Sequence, residues 1–136
     1  MADQGRMVKD WFQKAARDLK TAKLLLAQNN EDFWGATVFH AQQAAEKSIK
    51  GFLAKNKIRF TKTHNMEVLV SLVAKTDTEL SEYLEPTKAL TLYAVAYRYP
   101  EETELPEPLT QATCQKITAL ADEVFNKLAA LCGIAQ

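Results

Sequence analysis

The sequence predicts an all-α fold, an antiparallel up-and-down bundle of four to five helices within a single domain spanning residues 1–136. Apolar residues recur at three- and four-residue spacing over long stretches, which is the pattern of helices that bury one face. The chain contains only 4 Gly and 4 Pro, too few for the many turns of a strand-rich fold. No stretch alternates apolar and polar residues between turn residues, so no strand is predicted.

Two long helices are predicted in the first half of the chain. From 8 to 28 the apolar residues share one face, and the polar run that begins at Gln28 ends the helix. The second helix, from about 32 to 56, is apolar over more than one stripe of its surface. Because such a helix must be covered on several sides, we expect it to be the central helix of the bundle.

Two short helices are expected next. Residues 56–63 form a loop, and Thr63 is predicted to cap a third helix. Thr76, with Glu79 three residues later, matches a capping box and is predicted to open a fourth helix.

Prolines divide the rest of the chain. Pro86 lacks a backbone N–H and disfavours helical geometry at the preceding residue, so we expect a break or kink there and a helix from about 86 to 97. A last helix is predicted over 110–131. The segment between them is an extended loop that contains four Glu together with Pro100, Pro106 and Pro108.

The charges cancel in sum but not in distribution. The chain has 17 basic and 17 acidic residues, so attraction of the whole molecule to nucleic acid or to an anionic membrane is not indicated. Residues 47–62 carry basic side chains and no acid, whereas acids dominate 77–107. This segregation is consistent with two solvated faces, with a local anion site, or with two surfaces that pair within the chain or across a dimer.

Several classes of enzyme are not indicated. The chain lacks a Gly-rich phosphate loop, a His-Glu-x-x-His motif and a Cys pair with zinc-ligand spacing. With only 2 His and no acidic cluster beside them, we expect no metal site and no cofactor.

The cysteines and the absence of targeting signals suggest a cytoplasmic protein. Cys114 and Cys132 would lie about 27 Å apart along one helix, too far for a disulfide, so we expect both to be reduced. No signal peptide and no apolar run long enough to span a membrane is visible.

Polar side chains on the second helix are the first candidates for a function. Gln43, Lys47 and Lys50 lie along one side, and Glu46 precedes Lys50 by four residues, in the order that favours a surface ion pair. These residues either face solvent as ordinary helix surface or form an edge that binds phosphate or RNA.

The two histidines have different sequence contexts. His40 stands between Phe39 and Ala41, where a histidine is usually a core or interface residue with one hydrogen bond, and a ligand-binding or catalytic role is the alternative. His64 follows a basic loop and precedes a helix, so it either anchors the helix start or binds an anion there.

A cluster of aromatic residues and one arginine closes the helix at 86–97. Arg98 is expected in a last helical turn because its charge complements the free carbonyl groups. Tyr97 and Tyr99, on either side of it, also suit stacking on a base while Arg98 binds phosphate. A protein interface would use the same residue types.

Taken in order along the chain, these motifs resemble the HEPN family (higher eukaryotes and prokaryotes nucleotide-binding). The resemblance spans nearly the whole chain and rests on the Asp18-Leu19 and Ala22 pattern, Gln42-Gln-Ala-Ala-Glu-Lys-Ser-Ile-Lys50, Thr63-His64 and Arg98-Tyr-Pro100. It implies a helical bundle that dimerises and has a minimal nucleotidyltransferase as partner, often as a toxin–antitoxin pair. Many members are metal-independent ribonucleases that use an Arg followed four to six residues later by a His at the dimer interface.

This chain departs from the ribonuclease pattern. No His follows Arg98, and the pair Arg59 and His64, which has the required spacing, lies in a loop rather than on a later helix. The leading interpretation is therefore a HEPN-like accessory protein that binds a nucleotide, RNA or a nucleotidyltransferase partner, with its candidate binding residues at Gln43, Glu46, Lys47, Lys50, His64, Tyr97, Arg98 and Tyr99.

Two alternatives remain open. The first is a homodimeric, metal-independent endoribonuclease toxin, with His64 and Arg98 as the catalytic candidates and Arg59 or His40 as substitutes brought in by the fold. The second is a structural partner subunit that binds no ligand.

Overall fold

Six α-helices make up most of the described chain, which comprises residues 4–99, 101, 104–105 and 107–135 of a computed structural model. The helices are α1 Gln4–Ala27, α2 Trp34–Lys55, α3 Met66–Val73, α4 Thr78–Tyr83, α5 Leu90–Arg98 and α6 Gln111–Leu131. Short 3-10 turns at Glu31–Phe33 and Glu85–Ala89 precede α2 and α5. No strand occurs within these described ranges, and the predicted all-α bundle is confirmed.

The central position predicted for the second helix is also confirmed. Helix α2 packs against α1, α3, α5 and α6, and most of its residues are buried. Small side chains allow this close packing, since Ala44 and Ala45 are fully buried. At Gly51, an added Cβ atom would lie 2.6 Å from the ring of Phe12 on α1, so only glycine fits at this crossing.

The starts of the two short helices differ from the predicted ones. Asn65, rather than Thr63, caps α3 by accepting hydrogen bonds from two backbone N–H groups of its first turn. Asp77, rather than Thr76, caps α4 by accepting from the N–H of Leu80. Asn and Asp side chains cap at least as well as Thr, so a residue one or two positions later takes the place that each threonine was expected to fill.

The break at Pro86 occurs as predicted and adds a helix to the expected number. Pro86 lies at the start of the 3-10 turn, and Thr87 donates a hydrogen bond from its hydroxyl to the carbonyl of Leu84. The chain then resumes as α5, so α4 and α5 are separate helices. Of the predicted proline-rich loop that follows, Pro100, Glu102, Thr103 and Pro106 lie outside the described residues.

Both cysteines are buried and free. Cys114 lies in α6 and Cys132 follows its last residue. Burial raises the pKa of each thiol to about 11, so both are poor nucleophiles near neutral pH. Among the described helices, none is both long and apolar enough to cross a bilayer.

Candidate functional site

A buried carboxylate, that of Glu46 in the middle of α2, organises the first group of polar residues. Its side chain is only 1% exposed. Glu46 Oε1 accepts a hydrogen bond from Gln42 Nε2 at 3.0 Å, and Oε2 accepts from Lys50 Nζ at 2.9 Å. His64 Nδ1 lies 3.0 Å from Oε2, so the loop before α3 is tied to α2 through this carboxylate.

The burial of Gln43, Glu46 and Lys50 excludes the interpretation that these three residues form ordinary solvent-facing helix surface. Gln43 and Lys50 are buried, and Gln43 Nε2 donates to Gln42 Oε1 at 2.7 Å. The ion pair of Glu46 with Lys50 forms as predicted, but inside the protein. Buried charges persist only when they are paired and hydrogen-bonded, and the contacts among Gln42, Glu46 and Lys50 meet this condition.

His64 is the exposed member of this network. Its side chain is 59% exposed, and its Nδ1 contacts Glu46. It does not cap α3, a role that belongs to Asn65. Because an ionised carboxylate only accepts hydrogen bonds, this contact requires the proton on Nδ1 of His64.

A second carboxylate, that of Asp18 on α1, organises another group. Asp18 Oδ1 lies 2.9 Å from His40 Nδ1, and Oδ2 accepts from Lys47 Nζ at 2.5 Å. The side chains of His40 and Lys47 are 31% and 24% exposed. Asp18 thus orients one imidazole and one ammonium group that both reach the surface, and the Nδ1 contact leaves His40 Nε2 available for proton transfer or for a ligand.

The ring of Phe39 joins this group to the end of α5. Tyr97 stacks on Phe39 with ring centroids 4.8 Å apart, and the ring of His40 meets Phe39 edge-on at 5.4 Å. The guanidinium carbon of Arg98 lies 5.4 Å from the centroid of the same ring. The packing is also tight at Gly35, where an added Cβ atom would lie 3.2 Å from the Tyr97 ring.

These contacts define one site, which we call the α2–α5 site and which consists of Asp18, Phe39, His40, Lys47, Tyr97 and Arg98. Arg98 is exposed and, within the described residues, its side chain forms no ion pair. Tyr99, the next residue but one after Tyr97, is 58% exposed beside the site. The site therefore presents an imidazole and a guanidinium group against the Phe39 ring, and an ammonium group that is joined to the imidazole through Asp18.

A small pocket of about 260 Å³ opens on the other side of Tyr97. It is lined by Gly35, Val38, Tyr93, Ala96, Tyr97, Leu105 and Leu109. This lining is mainly apolar, and the volume is just below the range of about 300–1,000 Å³ typical of small-molecule sites. The pocket has room for one small ring system, and Tyr97 forms a wall shared with the α2–α5 site.

The structure thus brings together some of the predicted residues and separates others. Lys47, Tyr97 and Arg98 belong to the α2–α5 site. Gln43, Glu46, Lys50 and His64 belong to the Glu46 network, and Arg59 lies in the loop beyond the far end of α2. The described residues contain no group of three or more His, Cys, Asp or Glu side chains that could hold a metal ion.

Sequence reasoning missed Asp18 and Phe39 as members of the site. From the sequence, Asp18 stands out only as part of the motif pattern of α1, and Phe39 only as the neighbour of His40. The available signal was the pairing of antiparallel helices, which sets the middle of α1 against the first half of α2 and so places an acid opposite His40.

Comparison with known families identifies the family of this chain. The family model of the HEPN domain matches residues 8–131. The chain belongs to the HEPN family. Among curated proteins, no sequence matches this HEPN domain significantly.

Two solved structures resemble this HEPN domain. ST0689, an archaeal HEPN homologue, has a TM-score of 0.64 at 22% identity, and the match covers 92% of this chain and 97% of that chain. TT1696 from Thermus thermophilus has a TM-score of 0.69 at 24% identity, with coverage of 90% and 96%. At these identities the likeness supports the helical bundle.

The buried ion pair of Glu46 with Lys50 makes a stability prediction. Glu46→Leu leaves the Lys50 ammonium buried without its counter-charge and should lower the free energy of unfolding by about 3–5 kcal/mol. The double variant Glu46→Leu/Lys50→Met removes both charges and should recover most of that loss. Urea unfolding followed by circular dichroism measures both.

The matched control is the surface pair of Glu85 with Lys88, whose nitrogen–oxygen distance is also 2.9 Å. Because this pair is solvated, Glu85→Leu should change the free energy of unfolding by no more than about 1 kcal/mol. Equal losses for Glu46→Leu and Glu85→Leu would contradict a buried network.

Proposed function

We propose that this HEPN domain binds a nucleotide, either free or within RNA, at the α2–α5 site. The observation that supports this most strongly is that His40 and Arg98 lie against the Phe39 ring, on which Tyr97 stacks, while Asp18 pairs with both His40 and Lys47. A guanidinium group binds phosphate oxygens through two parallel hydrogen bonds, and aromatic faces stack on bases.

The geometry suggests how the parts of a nucleotide are divided. The phosphate would meet Arg98, with Lys47 and His40 supplying further positive charge or hydrogen bonds. The base would stack on the exposed Tyr99 or enter the apolar pocket behind Tyr97. Balanced overall charge does not oppose this proposal, because a few local donors suffice for a small phosphate ligand.

Protein partners are part of the same proposal. Leu92 and Val95 are exposed on α5, three residues apart, and Tyr99 just after the helix is exposed as well. An exposed apolar stripe of this kind suits a protein contact. We propose a homodimer that also binds a minimal nucleotidyltransferase in a toxin–antitoxin-like system, in line with the family resemblance. Two buried, reduced thiols suit the cytoplasm.

Binding of a mononucleotide by an Arg98 variant tests the proposal. Arg98→Ala should weaken the binding of AMP or UMP at least tenfold, since it removes a charge-assisted hydrogen bond worth about 1.5–3 kcal/mol. Isothermal titration calorimetry measures the dissociation constants.

Arg59→Ala removes the same charge from the loop after α2 and should leave mononucleotide binding unchanged. The proposal is wrong if the wild type binds neither nucleotide at millimolar concentration, or if Arg98→Ala binds as tightly as the wild type.

A second candidate function, metal-independent RNA cleavage, is favoured by one observation: His40 and Arg98 contact the same ring. In that reaction His40 Nε2 would take the proton of a ribose 2′-hydroxyl. The 2′-oxygen would bond to phosphorus, and the bond to the 5′-oxygen would break, with that oxygen taking a proton from water. Arg98 would stabilise the negative charge on the phosphate.

Incubation of RNA with the protein in EDTA separates the candidates. If the protein cleaves RNA by this route, His40→Ala and Arg98→Ala abolish cleavage, whereas His64→Ala keeps it. Absence of cleavage by the wild type refutes the second candidate and leaves binding as the function. Absence of both cleavage and binding would favour a structural subunit.

A further inference from the structure

A second group of rings and cations lies at the opposite end of α2 from the α2–α5 site. Trp11 of α1 and Phe60 of the following loop have ring centroids 6.0 Å apart, with their planes at 57°. The ammonium groups of Lys14 and Lys50 lie 5.7 Å and 5.5 Å from the Trp11 centroid. Trp11 and Phe60 are only partly buried, so an incoming group can reach them.

The loop around Phe60 adds positive charge. Lys57, Arg59 and Lys62 are exposed, and their side chains make no hydrogen bond or ion pair with the described residues. The acids nearest to this region in sequence, Asp10 and Glu67, form no ion pair in the described part of the chain either. We call Trp11, Lys14, Arg59, Phe60 and Lys62 the Trp11–Phe60 surface.

The acidic segment of the same chain does not neutralise this surface through Glu107. That side chain pairs with Lys116 of α6 at 3.3 Å. The beginning of α6 lies at the end of α1, where Gln111 Nε2 donates to the carbonyl of Leu26. The Trp11–Phe60 surface lies at the other end of α1, so Glu107 and the basic loop occupy opposite ends of the bundle.

Lys47, the member of the α2–α5 site that lies nearest to the Trp11–Phe60 surface along α2, is partly exposed. From Phe39 to Lys50 the axis of α2 rises by about 16 Å. A mononucleotide at the α2–α5 site cannot span this distance. A single strand with stacked bases, at about 3.4 Å per nucleotide, spans it with about five nucleotides.

We propose that the Trp11–Phe60 surface is a second contact site for single-stranded RNA, whose strand runs along α1 and α2 from the α2–α5 site. This inference rests on the proposed nucleotide binding at that site. The rings of Trp11 and Phe60 stack on a base, and Arg59 and Lys62 contact the flanking phosphates. Alternating rings and cations in this way is how proteins bind single strands without reading their sequence.

Binding of oligouridylates of increasing length tests this inference. Fluorescence anisotropy of labelled two- to twelve-nucleotide strands, together with calorimetry of UMP, gives affinity as a function of length. Wild-type affinity should rise at least tenfold between the dinucleotide and the octanucleotide. Arg59→Ala/Lys62→Ala should remove that gain and leave UMP binding unchanged.

Salt dependence and a control variant make the test specific. Losing two phosphate contacts should reduce the slope of log affinity against log salt by about 1.4 for the octanucleotide. Lys75→Ala/Lys127→Ala removes the same charge from α6 and the end of α3, and should keep the gain with length. Phe60→Ala should weaken the octanucleotide but not UMP.

The outcomes separate this inference from the proposed function. If UMP binds and the octanucleotide binds no more tightly, or if Arg59→Ala/Lys62→Ala behaves as the wild type, the second site is wrong and the first stands. If UMP does not bind, the proposed function itself fails. A polyglutamate peptide that competes as well as RNA would assign the surface to an acidic protein partner and overturn the inference.

Discussion

The burial of α2 on most of its sides constrains everything else in this molecule. A helix in that position can keep charged side chains only if each finds a partner inside the protein. Glu46 meets this condition through Gln42, Lys50 and His64, and in doing so ties the loop before α3 to the central helix. Asp18 of α1 supplies the partner for two further polar side chains of α2, those of His40 and Lys47.

The two carboxylates lead to different outcomes because they differ in their surroundings. The partners of Glu46 on α2 are buried, so that network contributes to the fold. The partners of Asp18 are partly exposed, and one of them, His40, lies against the ring of Phe39, where the end of α5 brings Tyr97 and Arg98. An oriented imidazole, an ammonium group and a guanidinium group thus belong to one site with two stacked rings, and the proposed nucleotide binding rests on this combination.

Much of the fold could be predicted from local sequence, but the site could be predicted only in part. Helix periodicity and the Pro86 break act over a few residues, so both were predicted correctly. The caps were misplaced because Thr63 and Thr76 each have an Asn or Asp nearby that binds the helix start instead. Tertiary packing decides the burial of Gln43 and Lys50 and the stacking of Phe39 on Tyr97. The spacing of residues along one helix carries no information about such packing.

The most direct test of nucleotide binding at the α2–α5 site uses the two histidines of this chain. Proton–carbon correlation spectra of their rings, assigned with His64→Ala, can be followed while UMP is added. The account predicts saturable shifts of the His40 resonances. It predicts no shifts for His64, whose partner Glu46 lies about 9 Å further along α2. Shifts of His64 alone, or of neither ring, would contradict it.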